Sequence, residues 1–81
     1  MSLEFSIAEQ LWRIYLRPIM PLYKQFMDYL ERKTIKPTRV HKDLWSMVYD
    51  FATSVSDISK VSEMDGWPVF LDEFVEFCKE Q

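Results

Sequence analysis

Chemistry in this sequence has few places to come from. There is one histidine, His41, one cysteine, Cys78, and one glycine, Gly66. A Cys–His nucleophilic pair would need two residues that lie far apart in the chain. Cys78 also falls on the apolar side of a helical pattern, where an inert thiol is the default. A lone cysteine excludes an internal disulfide framework and a cysteine-based zinc site. One glycine cannot build a phosphate-cradling loop. Neighbouring acids such as Asp72 and Glu73 diverge around a helix rather than forming an acid–base pair. No catalytic residue, metal or cofactor is expected.

The segment Val61–Asp72 has the outline of a calcium loop, with Asp65-Gly66 at the fifth and sixth positions. Such a loop needs a carboxylate at its first position and a bidentate Glu at its twelfth. Here Val61 offers no side-chain oxygen, Asp72 is one methylene short, and Pro68 lacks an amide N–H. The outline predicts a degenerate EF-hand-like helix pair without its ion. A calcium-binding EF-hand fragment is the alternative this pattern leaves open.

Four helical segments must position these residues, and no strand is expected. The first covers roughly Leu3 to Leu16, where Ile7, Leu11, Ile14 and Tyr15 follow helical spacing and Ala8, Trp12 and Leu16 widen the apolar surface. A stripe that broad has more than one surface to cover. The second segment starts near Pro21 and repeats Leu22, Phe26 and Leu30 every four residues. Pro37 breaks the connector that follows. The third runs from about Val40 to Val55 on Leu44, Val48, Phe51, Ala52 and Val55. Ser54–Glu63 reads as a polar loop with a turn near Asp57-Ile58. The fourth begins at Trp67-Pro68 and carries Phe70, Phe74, Phe77 and Cys78 on one side, extended by Leu71 and Val75. The predicted class is all-α, a small orthogonal bundle of helix pairs.

Composition sets the outer limits. With 81 residues, the chain is one small domain, residues 1–81; Met1-Ser2-Leu3 is compatible with a stub added for expression. An aromatic content of 16% argues against intrinsic disorder. No run approaches a membrane-spanning length and the first residues lack the regions of a secretory signal, so an intracellular setting is expected and a membrane partner is not. Charge is uneven: residues 1–56 carry six acids against eight Lys and Arg, whereas residues 57–81 carry seven acids against Lys60 and Lys79. An acidic end disfavours nucleic acid, which demands clustered Lys and Arg, and suits a basic protein surface. A generic acidic helical adaptor is a further alternative.

Two stretches go beyond this. KDLWSMVYDFAT, residues 42–53, followed by DGWPVFLDEFVEF, residues 65–77, resembles the closing part of the defective-in-cullin-neddylation family. IAEQLWRIYL and MPLYKQFMDYLE are similar to the family's preceding helices. The resemblance implies the C-terminal half of a potentiating-neddylation domain, built from EF-hand-like halves that bind no calcium. It implies a non-catalytic, scaffold-like ligase component of the nucleus or cytoplasm, holding a cullin winged-helix domain and the neddylation conjugating enzyme together. The family's cullin-facing Asp, Ala and Asp fall on Asp43, Gly66 and Asp72, with Gly66 departing from Ala. Leu11 and Ile14 match positions contributed to the conjugating-enzyme groove, most of which belongs to the other half of the domain.

Overall fold

A computed structural model describes residues 1–81. Helix α1 spans Phe5–Tyr15, α2 Tyr23–Arg32, α3 Lys42–Ser54 and α4 Val69–Lys79. Each forms where the apolar spacing predicts it, and each end has a local cause. The residue before a proline avoids the helical region, so Arg17-Pro18 follows directly on the close of α1 at Leu16. Pro68 precedes α4 with extended backbone, one residue earlier than a first helical position, and its carbonyl accepts from the amides of Leu71 and Asp72 at 2.9 and 3.0 Å. Between α3 and α4 lie two single turns of 3-10 helix, Ile58–Lys60 and Glu63–Asp65, in the segment read as a loop.

The chain is mostly helical, but the expectation of no strand needs correction. Strand β1, Ser2–Glu4, pairs antiparallel with β2, Arg39–His41, placing Leu3 opposite Val40. Each strand has three residues, too few to show alternation in sequence. What forms the ribbon is a non-local tie: Val40 is buried, the Phe5 amide donates to the Thr38 carbonyl at 2.9 Å, and Arg39 Nε donates to Ser2 Oγ at 2.6 Å. Residues 2–4, expected to be dispensable or helical, therefore anchor the entrances of α1 and α3.

The core is an aromatic hub. Phe26 of α2 packs edge-on against Phe74 of α4 at 5.2 Å between ring centroids and against Trp12 of α1 at 5.7 Å. Phe70 joins the same hub against Phe5, Trp12 and Tyr29. Such pairs favour edge-to-face geometry because ring edges are positive and faces negative. The Tyr29 hydroxyl, buried here, donates to the Phe70 carbonyl at 2.8 Å. No buried side-chain nitrogen or oxygen lacks a partner.

This hub decides which part of the broad apolar stripe of α1 turns inward, a choice the sequence leaves open. Phe5, Ala8, Trp12 and Leu16 are buried, whereas Ile7, Ile14 and Tyr15 are exposed. Both stripes have helical spacing, so periodicity alone ranks them equally. Trp12 settles the choice because its ring has more area to bury and four aromatic neighbours to bury it against.

Candidate functional site

The acidic end of the chain contains seven carboxylates, and the fold disposes of most of them internally. Asp57 accepts from the Ser59 amide at 3.0 Å and the Ser59 hydroxyl at 2.7 Å, and those bonds hold its pKa below the usual carboxylate range. Asp65 accepts from the Ser62 amide at 2.9 Å while Ser62 Oγ accepts from the Met64 amide at 3.0 Å, a reciprocal capping box around one turn. Glu73 pairs with Lys33 at 3.1 Å, and Glu76 with Lys79 at 3.6 Å. Glu63, Asp72 and Glu80 remain without an intramolecular hydrogen bond or ion pair.

Asp72 is the half-buried member of that set. It sits in the first turn of α4 and lines a shallow depression of about 330 Å³ with Val61, Ser62, Glu63, Val75 and Glu76. Lys79 also borders the depression, yet its ammonium turns to Glu76 rather than to Asp72. A carboxylate at this place gains from the helix dipole and keeps all its acceptor sites for a partner. Gly66 closes the adjoining Glu63–Asp65 turn with φ of 78°, a left-handed conformation that favours glycine, and is exposed.

Asp43 occupies the first turn of α3, just after the ribbon, exposed and unpaired. The structure thus groups Asp72 with the turn that ends in Gly66, around one depression. Asp43 is not among the residues that line this depression; it stands at the start of α3, next to the ribbon.

A second surface has the opposite chemistry. Trp12, Tyr15, Leu16, Ile19, Trp45 and Tyr49 line a mainly apolar groove between α1 and α3, with the Trp12 and Trp45 rings stacked at 5.6 Å. Leu11 and Ile14 are not among the lining residues. They lie to one side on α1, Leu11 half-buried and Ile14 66% exposed, continuing the apolar surface away from the groove. Ile19, Trp45 and Tyr49 were not singled out as site residues from sequence; the available signal was Trp45 and Tyr49, four apart, beside the main stripe of α3.

Other chemistry candidates stay apart. His41 stands exposed at the entrance of α3, and Cys78 is half-buried on α4, where desolvation pushes its thiol pKa up and away from thiolate. No three His, Cys, Asp or Glu side chains gather where an ion could be held, and no helix is long and apolar enough to cross a membrane.

The fold is thus a small helical domain with a depression bordered by Glu63, Asp72, Glu76 and Lys79 and a separate groove lined by aromatic and aliphatic side chains. The chain belongs to the cullin-binding, defective-in-cullin-neddylation family: a profile described as "Cullin binding" matches residues 1–77. It is 36% identical to human "DCN1-like protein 4" over 81 residues, which is 99% of this chain and 27% of that protein. It is 37% identical to human "DCN1-like protein 5" over 79 residues, 96% of this chain and 32% of the relative. The Drosophila melanogaster "DCN1-like protein 4" is 34% identical over 80 residues. The chain therefore spans about a third or less of the length of these relatives.

Proposed function

We propose that this chain binds the winged-helix domain of a cullin through Asp43, Gly66 and Asp72, and so promotes cullin neddylation without a catalytic residue of its own. The observation that carries this reading is Asp72, a carboxylate in the first turn of α4 that no Lys or Arg of the chain neutralises. Charge-assisted hydrogen bonds to Asp43 and Asp72 contribute about 1.5–3 kcal/mol each when water is excluded. In this reading the 81 residues are the closing half of a potentiating-neddylation domain whose EF-hand-like helix pairs have lost cation binding. Leu11 and Ile14 then belong to the groove that receives the conjugating enzyme, completed by the other half of the domain. Rate enhancement comes from proximity, because holding two proteins together raises effective concentration at the acceptor lysine. The setting is intracellular, in nucleus or cytoplasm.

A titration with an isolated cullin winged-helix domain tests the proposal. Asp72→Ala and Asp43→Lys are expected to abolish measurable binding while helicity stays unchanged by circular dichroism. Wild-type affinity in either variant rejects the assignment.

A further inference from the structure

An ion pair made to an exposed carboxylate in water gives little affinity on its own, because salt screens it and solvent competes for it. A landing surface built on Asp72 therefore needs neighbours that exclude water when a partner arrives. Two apolar side chains close to it in the chain, one in the turn that supplies Glu63 and one a helical turn before Asp72, are largely exposed. Met64 is 92% exposed and Val69 is 72% exposed.

Met64 is held in place rather than loosely tethered. Its own amide donates to Ser62 Oγ at 3.0 Å, the Asp65 amide donates to the Ser62 carbonyl at 3.0 Å, and Asp65 Oδ2 accepts from the Ser62 amide at 2.9 Å. Gly66 then turns the chain sharply, and Trp67 fixes the far side by packing edge-on to Phe51 at 5.1 Å. The backbone under Met64 is thus set before any partner binds, which lowers the ordering cost of using it. The same turn contributes Glu63 to the depression that Asp72 lines. On the other side, Val69 precedes Asp72 by three residues in α4 and so neighbours it on the helix surface.

We infer that Met64, with Val69 beside it, is an apolar anchor of the Asp72 surface, so the partner offers an apolar pocket next to its basic residues. Methionine suits the task because its unbranched thioether adapts to an irregular pocket. The inference rests on the proposed cullin-binding role and adds to it a residue that sets affinity and partner choice.

Calorimetric titration of the 81-residue chain with a cullin winged-helix domain, at low and high salt, separates the two contributions. Met64→Gln keeps length and removes the apolar end; it is expected to weaken binding about tenfold or more, equally at both salt concentrations, with a less negative heat-capacity change. Asp72→Asn is expected to lose affinity chiefly at low salt. Thermal unfolding midpoints of both variants should stay within about 5 °C of wild type, since neither side chain makes an intramolecular hydrogen bond or ion pair and only the helix-dipole gain of Asp72 is lost. A Met64→Gln loss under about threefold, with Asp72→Asn still impaired, overturns the anchor and leaves the cullin reading standing. Absence of any wild-type binding overturns both.

Discussion

Removing one oxygen atom tests how α4, and with it Asp72, is fixed to the rest of the molecule. Tyr29 on α2 is 4% exposed, and its hydroxyl donates to the Phe70 carbonyl of α4 at 2.8 Å. Its ring packs against Phe70, Phe74 and Phe77 at 5.4 to 5.6 Å between centroids. Tyr29→Phe preserves those ring contacts and deletes only the hydrogen bond. The Phe70 carbonyl keeps its place in the helical ladder, so the loss belongs near the lower end of the range for a buried bond, about 1–1.5 kcal/mol. In a domain this small, 1 kcal/mol moves the melting temperature by about 4–8 °C. Thermal unfolding followed by circular dichroism should therefore show Tyr29→Phe melting several degrees below wild type near neutral pH.

The same variant makes a signed prediction at alkaline pH. Burial first, and the nearby Glu73 carboxylate second, raise the Tyr29 pKa well above its ordinary value. A tyrosine in the unfolded chain ionises near about pH 10, so the folded state retains a proton that the unfolded state releases. The stabilisation is fully present below about pH 10 and is lost as pH climbs from there towards the folded value, at up to about 1.4 kcal/mol per pH unit. Wild type should lose stability more steeply than Tyr29→Phe above that point, and the two melting curves should converge. A variant that melts within about 2 °C of wild type, with a parallel alkaline decline, would show that this hydrogen bond does not join α2 to α4.

Two other substitutions probe the frame of the site. Gly66→Ala meets no steric obstacle, since nothing lies within 4 Å of an added Cβ, but it forces an L side chain into φ of 78°; urea unfolding should show a loss of about 1–2 kcal/mol, and an unchanged midpoint would mean the turn relaxes freely. Phe26→Ala, at the centre of the aromatic hub, should cost about 3–5 kcal/mol. That is much of the whole stability of about 4–12 kcal/mol expected at this length, so the variant's far-ultraviolet circular dichroism should lose cooperativity; a sharp, near-wild-type melt would refute the hub's role.

The helices were legible because each carries its own periodic stripe: Phe26 and Leu30 on α2, Val48 and Ala52 on α3, and Phe70 and Phe74 on α4 all point inward as their spacing predicts. The ribbon was not, because its six residues acquire meaning only across a separation of nearly forty positions. Nor was the orientation of α1, where two apolar stripes compete and the winner depends on where Phe26, Trp45 and Phe70 arrive in space. Asp43, Gly66 and Asp72 came from resemblance to a family. Composition alone could not separate Asp72 from Asp65 a few residues before it. Both are acids in one segment, yet a capping box consumes Asp65 and leaves Asp72 unpaired. The deciding quantity is hydrogen-bond accounting, which exists only once the backbone is folded.

In the scaffold role proposed above, the domain promotes a reaction that it does not carry out. A scaffold that works by proximity must hold two partners at once, so its surfaces must neither overlap nor recognise the same chemistry. The depression beside Asp72 and the groove beside Trp45 share no lining residue, and one is bordered by three carboxylates and a lysine while the other is mainly aromatic and aliphatic. The aromatic hub between them converts this separation into a fixed geometry. Trp12 touches both the groove and the hub, and Phe70 touches Trp12 from two residues before Asp72. Packing that dense leaves no hinge between the two surfaces and keeps them at a fixed angle to one another.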